Sequence, residues 1–115
     1  MIIIDYQSRT PIYEQIVLEI ERYVMLGIYK PKQQIESIRE LATSLGINPN
    51  TVKKAYDELE RRGTIITVST KGTFIAENTN ELIKSKIDEK IEKIQEEIKE
   101  LERLGISKEE ILKKI

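Results

Sequence analysis

At 115 residues, with 39% hydrophobic and 34% charged side chains, the chain has room for one small globular domain and an appendage. It has neither cysteine nor histidine, which excludes thiol nucleophiles, imidazole bases, disulfides and Cys/His zinc sites; an all-carboxylate site stays formally open, but no acidic pair stands out, and no enzyme, cofactor or metal is expected. The net charge of −1 is spread evenly (ten basic and ten acidic residues over 1–77, nine and ten over 78–115), so any nucleic-acid surface must come from placement of charge rather than excess of it.

Residues 2–4 are an apolar triplet, read as a short strand or a packed arm. The N-terminus has no basic region followed by a long apolar one, as a secretion signal would. No apolar run reaches the about 18 residues of a membrane span, so a cytoplasmic protein without membrane contact is expected. Thr10 is placed to cap a helix with Pro11 in its first turn. Ile12, Ile16, Ile20 and Val24 then recur every fourth residue, flanked by Tyr13, Val17 and Tyr23, as the stripe of an amphipathic helix ending at Gly27. Gln33–Glu36 reads as a short extended piece. Ser37 and Glu40 form a capping box for a helix that buries Ile38, Leu41, Ala42 and Leu45 and ends at Gly46. Asn48 caps the next helix, with Pro49 at its first position, where the missing N–H costs nothing. Val52, Ala55, Tyr56 and Leu59 form its inner face, and Gly63 ends it. The short Gly-containing connection between these two helices predicts a helix-turn-helix.

Residues 64–68 and 73–76, rich in β-branched and apolar side chains around Ser69-Thr70-Lys71-Gly72, predict a β-hairpin, that is, a wing. Asn78 with Glu81 is a further capping box. Beyond it Ile83, Ile87, Ile91, Ile94, Ile98 and Leu101 form a narrow apolar seam in a background of Lys and Glu, closer to a coiled-coil stripe than to a core-facing helix. Leu104-Gly105-Ile106 interrupts it, and Ser107 with Glu110 opens a last helix carrying Ile111, Leu112 and Ile115. The expected architecture is mainly α with a small β-hairpin wing: a winged helix-turn-helix over residues 1–77 and a helical dimerisation tail over 78–115.

Once Val52, Ala55, Tyr56 and Leu59 are buried, Asn50, Thr51, Lys53, Lys54 and Asp57 face outward. A recognition helix enters the major groove with its N-terminal end. There Asn can pair with adenine, Lys can donate to guanine or phosphate, and the helix terminus itself favours phosphate. Arg39, in the first turn of the preceding helix, and Lys71 with Gly72 at the wing tip are further candidates, the wing for the minor groove. Each residue alone has a plainer reading: solvated surface lysines and asparagines, an Arg39 paired with Glu36 or Glu40, a Gly72 that serves only the turn.

The span from Pro11 to Ala76 resembles the DNA-binding domain of the GntR family of bacterial regulators. The blocks Pro11-Ile12-Tyr13-Glu14-Gln15-Ile16, Ser37-Ile38-Arg39-Glu40-Leu41-Ala42, Gly46-Ile47-Asn48-Pro49-Asn50-Thr51-Val52, Ala55-Tyr56-Asp57-Glu58-Leu59-Glu60 and Lys71-Gly72-Thr73-Phe74-Ile75 follow its pattern in order. The resemblance implies operator contacts from Arg39, from Asn48, Asn50, Thr51 and Lys53, and from Gly72. The ending Leu104-Gly105-Ile106-Ser107 with Glu109-Glu110-Ile111 looks like the short tail of the YtrA subfamily. Such tails form dimers, and the genes controlled are often those of ABC transporters.

Some positions depart from the family pattern. Pro31-Lys32 stands for Pro-Gly, Ile35-Glu36-Ser37 for Leu-Pro-Ser, and the wing carries one basic residue where several are usual. DNA binding weaker or more salt-sensitive than the family average is therefore expected. The function expected is a homodimeric, sequence-specific regulator of transcription, a repressor acting on an inverted-repeat operator in double-stranded DNA. No motif identifies a small-molecule effector. The alternative is a winged-helix protein-interaction module whose seam binds a foreign helix.

Overall fold

A computed structural model of the chain describes residues 2–115. In chain order the elements are α1 (Ile12–Met25), β1 (Gln34–Ile35), α2 (Ile38–Leu45), α3 (Pro49–Arg61), β2 (Ile65–Val68), β3 (Gly72–Ile75), α4 (Thr79–Arg103) and α5 (Lys108–Lys114). They fall into two compact units, one running to Ile83 and one over Lys84–Ile115.

In the first unit α1 and α2 both pack on α3. The four-residue stripe of α1 supplies Ile16, Val17, Ile20 and Val24, α2 supplies Leu41 and Ala42, and α3 supplies Val52, Ala55, Tyr56 and Leu59. Ile65 and Ile75 close this core from the sheet. The sheet is antiparallel in the order β1-β3-β2. Gln34, Phe74 and Ile66 share one cross-strand row, and Val68 faces Gly72 at the hairpin end. Thr73 and Ile75 point inward while Ile66 and Val68 remain exposed, as the two-residue period of a one-sided sheet requires.

Of the two readings of residues 2–4, the packed arm holds: Ile2 is buried, Ile4 packs against the core, and Ile3 between them is 79% exposed. Helix α1 begins at Ile12, with Pro11 in extended conformation (φ −55°, ψ 148°) as its N-cap and no side-chain cap. What fastens the segment before the helix is Gln15. Its Oε1 accepts from the Asp5 N–H at 2.8 Å, and its Nε2 donates to the Asp5 and Thr10 carbonyls at 2.9 Å each. One amide side chain thereby ties the arm to the helix.

The first turn of α4 belongs to the first unit. In place of a box between Asn78 and Glu81, its anchor is Thr79. The Thr79 hydroxyl lies within hydrogen-bond distance of the Thr64 and Ala76 carbonyls, at 2.9 and 3.0 Å. The second unit comprises the rest of α4 and α5. Ser107 Oγ accepts from the Glu110 N–H at 3.2 Å, and Ile111 is buried. No helix among the described residues is long and apolar enough to cross a membrane.

Candidate DNA-binding surface

The surface is built by two helix starts and a hairpin tip. At the start of α2 the capping box is complete: Ser37 Oγ accepts from the Glu40 N–H at 3.1 Å, and Glu40 Oε1 accepts from the Ser37 N–H at 3.0 Å. These bonds, the Ser37 backbone N–H first, hold the Glu40 carboxyl below the usual range. Glu40 is thereby committed locally. Arg39, next to it and exposed, has no hydrogen-bond or ion-pair partner among the described residues. It is a free guanidinium at the start of a helix.

At the start of α3, Asn48 Oδ1 accepts from the Asn50 N–H at 2.8 Å, with Pro49 at the first helical position. The cap uses the oxygen of Asn48 and leaves its amide group to solvent. Asn48 and Asn50 are exposed and Thr51 is half-buried. The opposite face is held down by Val52, Ala55, Tyr56 and Leu59, each at most 3% exposed. Tyr56 adds a directional bond. Its hydroxyl donates to the Glu36 carbonyl at 2.6 Å, joining α3 to the chain just before α2, and burial raises its pKa. The two helix starts are therefore set relative to each other by a rigid side chain as well as by packing.

The two lysines of α3 have different surroundings. Lys53 Nζ lies 2.9 Å from Asp57 Oδ2, with both side chains about 60% exposed; a surface pair of this kind contributes about 0–1 kcal/mol and opens readily for another anion. Lys54 Nζ sits 4.0 Å from the centroid of the Tyr13 ring on α1. Of the five outward positions expected on α3, Asn50 stands free of the core, Lys53 and Asp57 are exposed and paired with each other, Thr51 is partly covered, and Lys54 leans on its neighbour helix. Tyr13 as the seat of Lys54 was not legible beforehand, because nothing in a linear stripe says which exposed cation an aromatic edge will meet.

At the wing, Lys71 is exposed and its N–H closes the turn onto the Val68 carbonyl at 3.0 Å. Gly72 has φ +123°, a conformation that disfavours any side chain. A Cβ there would lie 2.5 Å from Gln34 Nε2, the group that donates to the Lys71 carbonyl at 3.0 Å. The glycine thus has a structural duty of its own: it makes room for the side chain that fastens the wing tip to β1.

The seam divides. Ile83 is buried in the core of the first unit, so the exposed row begins at Ile87 and not at Ile83. Ile87, Ile91, Ile94 and Leu101 are 42%, 49%, 56% and 39% exposed, and Ile98 is half-buried.

Residues 12–75, more than half of the chain, match the family described as bacterial regulatory proteins, gntR family. The chain belongs to that family. It is 46% identical over 101 residues to the HTH-type transcriptional repressor YtrA of Bacillus subtilis strain 168, an alignment covering 88% of this chain and 75% of the relative. Among solved structures it resembles a transcriptional antiterminator from Listeria monocytogenes EGD-e, with a TM-score of 0.75, 49% identity and coverage of 98% and 85% of the two chains. It also resembles the DNA-binding domain of AraR in complex with operator ORX1, with a TM-score of 0.58, 30% identity and coverage of 64% and 92%. These neighbours share the winged-helix architecture, and the likeness to YtrA covers most of both chains. The proteins it matches are named as regulators and repressors, a role without enzymatic chemistry.

Proposed function

We propose that this gntR-family regulator is a cytoplasmic repressor that binds an inverted-repeat operator as a homodimer. The start of α3 would enter the major groove in each half-site, and transcription would be blocked by excluding polymerase. The observation that carries this reading is the pair of exposed helix starts: an unpaired Arg39 on α2 beside a capped, solvent-facing Asn48–Asn50 turn on α3, both fixed from behind by a buried apolar face. Arg39, Asn48, Asn50, Thr51 and Lys53 would make the groove and phosphate contacts, with Lys54 available on leaving Tyr13. Lys71 and the Gly72 backbone would follow the adjacent minor groove. The exposed row Ile87, Ile91, Ile94 and Leu101, together with Ile98, supports self-association through α4, because apolar side chains at coiled-coil spacing gain by facing a second copy. The likeness to YtrA and the short tail support control of a transporter operon of the ABC type.

Titrating operator duplex with the full chain at several salt concentrations tests the contacts. Neutralising about three to five phosphates per subunit makes the affinity fall steeply and linearly on logarithmic axes. A flat plot would overturn the assignment of this surface to DNA and favour the interaction-module reading.

A further inference from the structure

A polar side-chain network that neither the DNA surface nor the seam uses runs through the interior of the first unit. Glu21 sits in the apolar stripe of α1, 9% exposed, where an aliphatic residue would serve packing as well. Its Oε1 accepts from Arg62 Nη1 at 2.7 Å and its Oε2 accepts from Thr64 Oγ1 at 2.9 Å. Arg62 is the C-cap of α3, and its Nε donates to Glu58 Oε2 at 2.8 Å, one turn back in the same helix. Thr64, 1% exposed, offers its carbonyl to the Thr79 hydroxyl, and Thr79 is fully buried in the first turn of α4. Hydrogen bonds therefore run without a break from α3 through α1 to α4.

Packing reinforces the same joint. Gly63, just past the end of α3 at φ +79°, has no side chain where one would come within 3.1 Å of Leu82 Cδ1 on α4. Ile83 completes the seat by entering the core.

Burying charged and hydroxyl groups costs desolvation that apolar packing avoids, so such a network adds little to stability beyond what aliphatic residues would give. What it supplies is direction. Hydrogen bonds fix one orientation, whereas methyl groups tolerate several. No buried side-chain nitrogen or oxygen among the described residues lacks a partner, so the network is closed.

We infer that Glu21, Thr64 and Thr79 are positioning residues that lock the root of the dimerisation helix to the C-terminal end of the recognition helix, and thereby set the half-site spacing the dimer accepts. The inference rests on the proposed dimeric reading of an operator. None of the three side chains touches DNA in that reading. They act through the joint between α3 and α4, the place where the element that reads bases meets the element that fixes the partner.

The test uses the full chain, with the sequence that the wild type selects from random duplex DNA. That sequence is presented as a single half-site and as inverted repeats whose centre spacing varies one base pair at a time. Wild type binds one spacing best, and more tightly than the half-site. Thr79→Val, which keeps the shape and removes the hydroxyl, leaves half-site affinity within about twofold. It lowers the preference for the best spacing over its neighbours by about tenfold, and Thr79→Ser restores that preference. Leu82→Ala, which loosens the same root without touching the network, broadens the preference in the same way. It decides the matter if thermal melting shows Thr79→Val unfolded. Parallel losses on half-site and full site, or an unchanged spacing profile in folded variants, overturn the inference while leaving the dimer intact. A wild type with no advantage on any inverted repeat instead overturns the dimeric reading, and the inference with it.

Discussion

The two compact units treat their apolar residues in opposite ways. The unit running to Ile83 hides its isoleucines: Ile16, Ile20, Ile65 and Ile75 are at most 1% exposed. The unit over Lys84–Ile115 leaves Ile87, Ile91 and Ile94 between 42% and 56% exposed, in a helix whose other positions are mostly Lys and Glu. Both sequences carry apolar residues at helical spacing, but only the first brings several elements together to cover them. A wide stripe, met by two other helices and a sheet, makes a closed core. A narrow row on a charged helix stays open to solvent, with the spacing that a facing helix would cover. The contrast separates what the first unit covers by itself from what the second leaves exposed, the row to which the proposed dimer assigns a second copy.

The sharpest way to break the contrast is in the closed core. Ile20→Ala, 1% exposed on α1, removes a filled position and is expected to cost about 2–5 kcal/mol in urea-induced unfolding. A cost below about 1 kcal/mol would mean that this core is far looser than its burial implies. Next comes the open row. Ile91→Lys combined with Ile94→Lys is expected to convert dimer to monomer in sedimentation, leave the wing and α1–α3 folded, and weaken operator binding by about a hundredfold through loss of the second site. A double variant that remains a dimer would move the interface off this face of α4.

Smaller effects belong to the surface itself. Arg39→Ala is expected to lose about tenfold or more in operator affinity without a change in melting temperature, the cost of one lost base or phosphate contact. Lys53→Ala is expected to lose less, since part of its charge is spent on Asp57. Equal binding by both variants would remove α2 and α3 from the DNA face. The smallest effect is a pH dependence confined to the first unit. The side-chain bonds from Arg61, and then Arg62, bring the Glu58 carboxyl down to about 2, from 4.5 when free. A lowered folded-state pKa stabilises the protein above pH 4.5, and the contribution fades as the pH falls from there towards 2. Glu58→Gln should therefore flatten the melting temperature over that acid range, lowering it slightly at neutral pH and leaving it nearly unchanged near pH 2.

Much of this architecture was legible in local chemistry. Ser37 with Glu40 and Asn48 with Pro49 mark two helix starts to the residue, because a cap is a contact between neighbours in the chain. The wing was legible for the same reason, from β-branched runs around a four-residue turn. What stayed hidden depends on residues far apart in sequence. Thr10 looks like a better cap than Pro11, yet the arm is tied down by Gln15, five and ten residues from its partners. Ile83 fits the seam by spacing, and only the core of the first unit reveals that its side is already taken. Glu21 interrupts the apolar stripe of α1 between Val17 and Val24, a visible signal. Its partners Arg62 and Thr64 lie more than forty residues away, and no periodicity names them. The candidate DNA surface was legible as a set of residues. The commitment of Lys54 to Tyr13 and of Lys53 to Asp57 was not, since each depends on where neighbouring side chains come to rest.

The bond from Gln34 to the Lys71 carbonyl has a kinetic and entropic consequence. A two-stranded hairpin ending in a polar turn would normally sample many shapes in solution, and a duplex would have to select one on arrival. Here the third strand clasps the tip from the side, so the loop is already shaped before any encounter. In the proposed binding mode little flexibility would be left to lose on landing, and the wing would discriminate against a poorly fitting groove as a fixed probe rather than a moulding one.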